Sequence, residues 1–107
     1  NEKFFIGTDS APHTIQSKEN NENIKPGIFS APSSIELYAH IFDQENSLTQ
    51  LEKFCSLNGP KFYNLQPNND KIKIVKDEYI VDEFTIYNDL IVKNFFGGKK
   101  INWRIEF

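Results

Sequence analysis

Asp9 and His13 stand four positions apart in the stretch FFIGTDSAPH, Phe4 to His13, directly after three bulky apolar residues and a glycine. A carboxylate in such a place can ligate a divalent metal, take a proton from water that the metal acidifies, or do both in turn. An imidazole beyond a proline that stiffens the loop can hydrogen-bond an anionic substrate group. Both residues also have ordinary uses: an Asp after a strand is most often a turn or cap residue, and a loop His is usually solvated. One carboxylate and one imidazole also fall short of the roughly three or four protein ligands of a closed metal site. Other chemistry-bearing residues read as structural. His40 sits in mid-helix, Cys55 lies on an apolar helix face as core packing, and Asp77-Glu78 and Asp82-Glu83 form a solvated face. Gly97-Gly98 is too short to cradle a phosphate.

The elements that must position Asp9 and His13 follow from hydrophobic spacing. Phe4-Phe5-Ile6 is a continuous apolar run, the pattern of a strand covered on both faces as in parallel sheets. Asp9 then falls just past the C-terminal end of that strand, where loops converge in barrels of parallel strands. Gly7 to His13 reads as the loop leaving the strand, and Thr14 to Pro26, polar and without period, as a surface loop. Ser33 with Glu36 predicts a capping box, followed by a helix whose stripe is Ile35, Tyr38, Ile41, Phe42 and Glu45, with Leu37 at its edge. A second helix is predicted from Ser47, with Gln50 in the matching position and Leu48, Leu51, Phe54 and Cys55 facing inward. Asn58-Gly59-Pro60 is expected to end it. From Lys71 the pattern alternates, and Ile101, Trp103, Ile105 and Phe107 occupy every second position, as in strands with one wet face. Gly97-Gly98 marks the turn before that last strand. A strand covered on both faces needs neighbours, and the other strand candidates here each have a polar face, so flanking strands are expected from outside the sequence.

Bulk properties fit a folded chain. The 107 residues are the size of one domain, which would bury roughly two thirds of its unfolded surface. With 38% hydrophobic and 14% aromatic residues, ten of them Phe, burial can offset chain entropy, so disorder is not expected. A net charge of −3 leaves no basic footprint for nucleic acid. No apolar run approaches the roughly 20 residues of a bilayer span. The single cysteine excludes an internal disulfide and suits a reducing cytosol. The absence of Met, with a buried-looking strand almost at the first residue, leads to the expectation that the chain is a piece of a longer polypeptide.

Taken together, four stretches resemble the C-terminal third of class II dihydroorotase, a metal-dependent amidohydrolase. They are Gly7-Thr8-Asp9-Ser10-Ala11-Pro12-His13, the Lys18-Glu19 pair, Gly27-Ile28-Phe29-Ser30-Ala31-Pro32, and Phe54-Cys55-Ser56-Leu57-Asn58-Gly59-Pro60-Lys61-Phe62-Tyr63. The similarity runs in one register from Phe4 to Tyr63 and more loosely to Trp103. Ser10 stands where the class I enzyme typically has His, which favours class II.

The resemblance implies an α/β fold, the C-terminal part of a (β/α)8 TIM barrel. Residues 1–70 would hold the last barrel strand, at Phe4 to Gly7, with the active-site loop and helices; residues 71–107 would form a β-rich C-terminal extension. The N-terminal part of the domain would lie outside this sequence. The implied reaction is the zinc-dependent, reversible interconversion of dihydroorotate and N-carbamoyl-L-aspartate in cytoplasmic pyrimidine (UMP) biosynthesis. Hydroxide attacks the ring amide carbonyl at a binuclear Zn2+ centre, most of whose ligands lie outside this chain. By carry-over, Asp9 ligates one metal, takes the proton and delivers it to the leaving nitrogen, while His13 binds the substrate carboxylate. The family also contacts substrate through backbone just before the glycine matching Gly27; here that position is Pro26, which has no N–H to donate. The implied partners are the N-terminal part of the same enzyme and the small-molecule substrate, with homodimerisation left open and neither nucleic acid nor membrane involved. Because no His-x-His occurs in the sequence, the chain by itself is expected to be inactive. Two other readings stand beside this one. The chain could be a non-catalytic interaction or scaffold domain derived from the enzyme, or part of another cyclic amidase of hydantoinase or allantoinase type, which the Cys55 to Pro60 stretch disfavours.

Overall fold

A computed structural model describes residues 1–18 and 25–107. Glu19 of the Lys18-Glu19 pair, and the remainder of the polar stretch up to Ile24, lie outside the described residues. In chain order the helical elements are α1 (Ile15–Lys18), a 3-10 turn (Ala31–Ser33), α2 (Ser34–Gln44), a second 3-10 turn (Leu48–Gln50), a π-helical turn (Lys53–Leu57) and α3 (Asn58–Phe62). The strands are β1 (Lys73–Ile80), β2 (Phe84–Tyr87), β3 (Leu90–Lys93) and β4 (Lys100–Glu106). These elements divide into two compact units, one of residues 1–7, 35–78 and 102–107, the other of residues 8–34 and 79–101.

The first unit is built on aromatic packing. Along α2, Leu37 and Ala39 are buried, and the rings of Tyr38 and Phe42 lie 5.3 and 5.2 Å from that of Phe54. Ile41, expected on the inward stripe, is instead 46% exposed. It lines an open cleft of about 330 Å³ together with Phe4, Phe42 and Phe54, because no described element covers that side of the stripe. Ser47 is the N-cap of the next helical run as predicted, but the reciprocal box does not form. Its hydroxyl donates to the Glu45 carbonyl, and Gln50 contributes only its backbone N–H, to the Ser47 carbonyl.

The helix does not end at Asn58-Gly59-Pro60. It runs on through them to Phe62. The π-helical turn explains how: the Asn58 N–H reaches back to the Lys53 carbonyl, five residues away. That extra residue re-phases the ladder just ahead of Pro60, whose ring otherwise clashes with the carbonyl four residues back. The stop comes later, in a Schellman arrangement. Leu65 N–H donates to the Pro60 carbonyl at 2.8 Å and Asn64 N–H to the Lys61 carbonyl at 3.3 Å, with Asn64 in the left-handed region at φ 57°.

Freed from the stop, Asn58 and Gly59 seat the N-terminal segment. Buried Asn58 donates its amide to the carbonyls of Phe4 (3.0 Å) and Asn1 (3.4 Å), and the Phe5 ring rests on Gly59. Phe5 also meets Phe62 and Tyr63 at 5.5 and 5.9 Å. The Ile6 N–H donates to the Phe54 carbonyl at 3.0 Å. Phe4 to Ile6 is therefore anchored, and the flanking strands its pattern calls for are expected from outside this sequence. It has no sheet partner among the described residues, and Phe4 is 66% exposed. A strand needs a neighbouring ladder for its backbone groups, and here the helix end supplies only isolated bonds.

The tail is β-rich as its alternation predicts. β1 and β4 pair in one two-stranded sheet, and β2 and β3 form an antiparallel hairpin in the register Phe84↔Lys93 to Tyr87↔Leu90. Asn88, at φ 53°, and Asp89 close that hairpin. Ile101 is fully buried, Trp103 and Ile105 are half-buried, and Phe107 at the end is exposed. In the first unit β4 is docked on α2 by polar bonds, Asn102 N–H to His40 Nδ1 (3.2 Å) and Trp103 Nε1 to Asp43 Oδ2 (3.0 Å). No helix among the described residues is long and apolar enough to cross a membrane.

Candidate functional site

Asp9, His13 and Pro26 all fall in the second unit, on two segments that the backbone ties together. The Ala11 N–H donates to the Ile28 carbonyl at 2.7 Å, so the loop bearing Asp9 and His13 lies alongside the segment that begins at Lys25. Within the loop, the His13 N–H turns back to the Ala11 carbonyl at 2.9 Å across Pro12. All three predicted residues are exposed. Asp9 is held in the left-handed region at φ 43°, a conformation that costs a non-glycine residue roughly 1–2 kcal/mol and that Asp tolerates better than most. Among the described residues its carboxylate has no hydrogen-bond or ion-pair partner, and neither does the His13 imidazole. Both are therefore available to a ligand without first breaking an existing bond.

Three further contacts fix this loop pair. Ser10 Oγ accepts from the backbone N–H groups of Ser30 (3.3 Å) and Ala31 (3.1 Å) and lies 3.3 Å from Ser30 Oγ. Those two amides open the 3-10 turn that leads into α2, and Ser30, its N-cap residue, makes no side-chain cap of its own. The expected capping box fails for this reason: Ser33 is already inside the 3-10 turn and buried, since Pro32 starts helical geometry early. Gly27 is the second contact. At φ 105° it sits where a Cβ would come within 2.5 Å of Ala11 Cβ, so the close approach of the two segments requires glycine. Its carbonyl accepts from Lys18 Nζ at 3.0 Å, at the end of α1; Thr14 caps that single turn by accepting from the Ser17 N–H (3.2 Å), where an unstructured loop was expected.

The third contact is on the far side of the same segment. Phe29 bridges Asn94, and the Phe95 N–H donates to the Phe29 carbonyl at 2.8 Å. Asn94 is buried, and both ends of its side-chain amide are bonded. Its N–H donates to the Glu83 carbonyl (2.9 Å), its amide to the Asp82 carbonyl (2.9 Å), and its Oδ1 accepts from Thr85 Oγ1 (2.7 Å). Ser10 and Asn94 are thus structural determinants of the loop pair that residue spacing alone does not reveal, because each acts on partners distant in sequence or through a hairpin.

Remaining candidates behave as packing. Cys55 is half-buried in the first unit, and burial pushes its thiol up, away from the reactive thiolate. His40 is engaged by β4, and Asp77 pairs with Arg104 at 3.1 Å on the surface. No three His, Cys, Asp or Glu side chains converge as a metal site among the described residues.

No family model matches the chain. Curated relatives match nearly all of it. A dihydroorotase of Pseudomonas savastanoi pv. phaseolicola is 45% identical over 104 residues, covering 97% of this chain and 30% of that protein. One of Yersinia enterocolitica is 42% identical over 106 residues, covering 98% and 30%. Among solved structures, the Saccharomyces cerevisiae dihydroorotase in complex with 5-fluoroorotic acid superposes with a TM-score of 0.92 at 31% identity, over 99% of this chain and 30% of the other. The Campylobacter jejuni dihydroorotase gives a TM-score of 0.80 at 29% identity with the same coverage. The chain thus shares its mixed helix and strand content with a segment of these dihydroorotases. It spans about 30% of the length of the relatives it matches.

Proposed function

We propose that this chain is the C-terminal part of a class II dihydroorotase. On this reading residues 1–70 supply the last strand of a (β/α)8 barrel with its active-site loop and helices, and residues 71–107 supply a β-rich extension. The complete enzyme interconverts dihydroorotate and N-carbamoyl-L-aspartate in pyrimidine biosynthesis, in the cytoplasm, and this part acts only together with the N-terminal part. What carries the reading is the whole-length match to dihydroorotases, combined with an exposed, unpartnered Asp9 in the GTDSAPH loop. That Phe4 to Gly7 has no sheet partner among the described residues, and that the cleft beside Phe4 and Ile41 is open, also suit a segment that packs against further barrel strands and helices.

Dihydroorotases imply metal dependence, and Asp9 fits one ligand position: a hard oxygen donor, solvent-facing, with no bond to give up among the described residues. The other ligands come from the N-terminal part. Bound zinc lowers the pKa of its water from about 16 to about 7. Asp9 would receive the remaining proton of the attacking hydroxide and pass it to the ring nitrogen as the amide C–N bond breaks, so one water is consumed, one of its protons ends on that nitrogen and the other is released to solvent as the new carboxylate forms. His13 donates a hydrogen bond to the substrate carboxylate, anchoring it four residues from Asp9 on the same loop. Pro26 has no N–H and can offer substrate only its carbonyl at that edge.

The test is turnover. The full-length protein carrying these residues is expected to hydrolyse dihydroorotate, and the isolated 107-residue chain is expected to show no activity above background. Measurable hydrolysis by the isolated chain, or none by the full-length protein loaded with zinc, would overturn the reading.

A further inference from the structure

We infer that Ser10 is a positioning residue for the reaction, the pin that holds Asp9 and His13 in register. The inference rests on the functional reading above and concerns a residue to which the chemistry assigns no task. Ser10 follows Asp9 directly in the chain, and its side chain is part-buried. A hydroxyl has two acceptor lone pairs and one proton to give. At Ser10 the N–H groups of Ser30 and Ala31 fill both acceptor positions, at 3.3 and 3.1 Å, so its own proton goes to Ser30 Oγ, 3.3 Å away. Ser34 Oγ fixes the same turn through the Ser30 carbonyl at 2.8 Å. Residue 10 is thereby clamped to the start of a helical run, and the backbone of Asp9 is clamped with it.

The rest of the loop depends on the same clamp. Asp9 pays for its left-handed backbone, and strain of that kind persists only where the surroundings over-determine it. Downstream, the single backbone bond from Ala11 to Ile28 and the close approach to Gly27 carry the loop as far as His13. Without the Ser10 hydroxyl, the Ser30 and Ala31 amides lose their acceptor, and the segment between Asp9 and Ala11 keeps no side-chain tie to the turn among the contacts described. Small displacements of a catalytic group are enough to matter: a shift of about 1 Å can cost on the order of 10²-fold in rate.

The experiment compares full-length wild type with Ser10→Ala and Ser10→Thr. Ser10→Ala is expected to lower kcat by about 10- to 100-fold, with a smaller rise in KM and a melting temperature close to wild type. Ser10→Thr retains the hydroxyl and should recover most of the lost kcat. Hydrogen exchange adds a readout independent of turnover: the Ser30 and Ala31 amides, protected in wild type, should exchange faster in Ser10→Ala and regain protection in Ser10→Thr. An unchanged kcat in Ser10→Ala would overturn the inference. So would a loss of activity that merely parallels a loss of melting temperature and is not recovered by Thr. If wild type itself failed to hydrolyse dihydroorotate, the functional reading would fall, and unchanged amide exchange in Ser10→Ala would dispose of the clamp separately.

Discussion

Around Phe54 and Phe5, in the unit of residues 1–7, 35–78 and 102–107, rings meet rings, whereas the loop pair that carries Asp9 and His13, in the unit of residues 8–34 and 79–101, is ordered by hydrogen bonds that involve Ser10, Ala11, Phe29 and Asn94. Apolar packing is non-directional and tolerates small movements, so it suits a platform. Hydrogen bonds demand distance and angle, and a buried donor or acceptor left without a partner costs about 1–3 kcal/mol. The residues proposed to do chemistry lie in the second kind of unit. A loop that must present a carboxylate in one orientation is better fixed by directional contacts than by a greasy face.

The comparison breaks first at Phe54. Its ring is the shared neighbour of Tyr38 and Phe42, and its carbonyl accepts the Ile6 N–H. Phe54→Ala should lower stability by about 2–3 kcal/mol, below the full-burial value because the ring is only half-buried. Chemical denaturation measures this, and the loss should appear as a lower midpoint rather than as an altered kcat at temperatures where the protein stays folded.

Gly27→Ala probes the other unit. A methyl there meets Ala11 Cβ at 2.5 Å and sits on a φ of 105°, which costs roughly 1–3 kcal/mol. Adding Ala11→Gly removes the clash but not the backbone strain, so the double variant should recover only part of the loss. Full recovery would show that φ at this position is not what glycine provides.

The smallest effect is expected at the surface pair Glu2–Lys61, where the Lys61 hydrogen bond and charge hold the Glu2 carboxyl below its ordinary range. A lowered folded-state pKa contributes stability above the unfolded value of 4.5 and loses it as pH falls through the folded one. Lys61→Ala should therefore return the Glu2 titration, followed by NMR, toward the ordinary value and leave stability at neutral pH almost unchanged, since exposed pairs contribute little.

Much of the helical unit is legible in the sequence because helical periodicity is a local signal. Leu37, Leu51, Tyr38 and Phe54 pack as their spacing predicts. The misreading at Asn58-Gly59-Pro60 has a definite cause: a π turn is invisible to residue type, and it lets a proline continue a helix that the sequence pattern ends. Asn58 then proves to be an anchor for the N-terminal segment rather than part of a stop signal. Phe4 to Ile6 reads as buried from its composition, yet burial is decided by neighbours, and the described residues supply few. In the loop unit, the residue types at Asp9 and His13 prompt the chemistry proposed for them. The determinants that arrange them do not, because Ser10 acts on amides about twenty positions away and Asn94 acts through a hairpin.

Asp9 is the residue on which the account turns, and its removal is the most direct measurement. In the full-length protein, Asp9→Asn keeps the shape and the left-handed tolerance of the side chain while removing its charge and basicity. Turnover of dihydroorotate is expected to fall by about 10²- to 10⁴-fold with folding intact and with zinc content reduced. Wild-type turnover and full zinc content in Asp9→Asn would contradict the account.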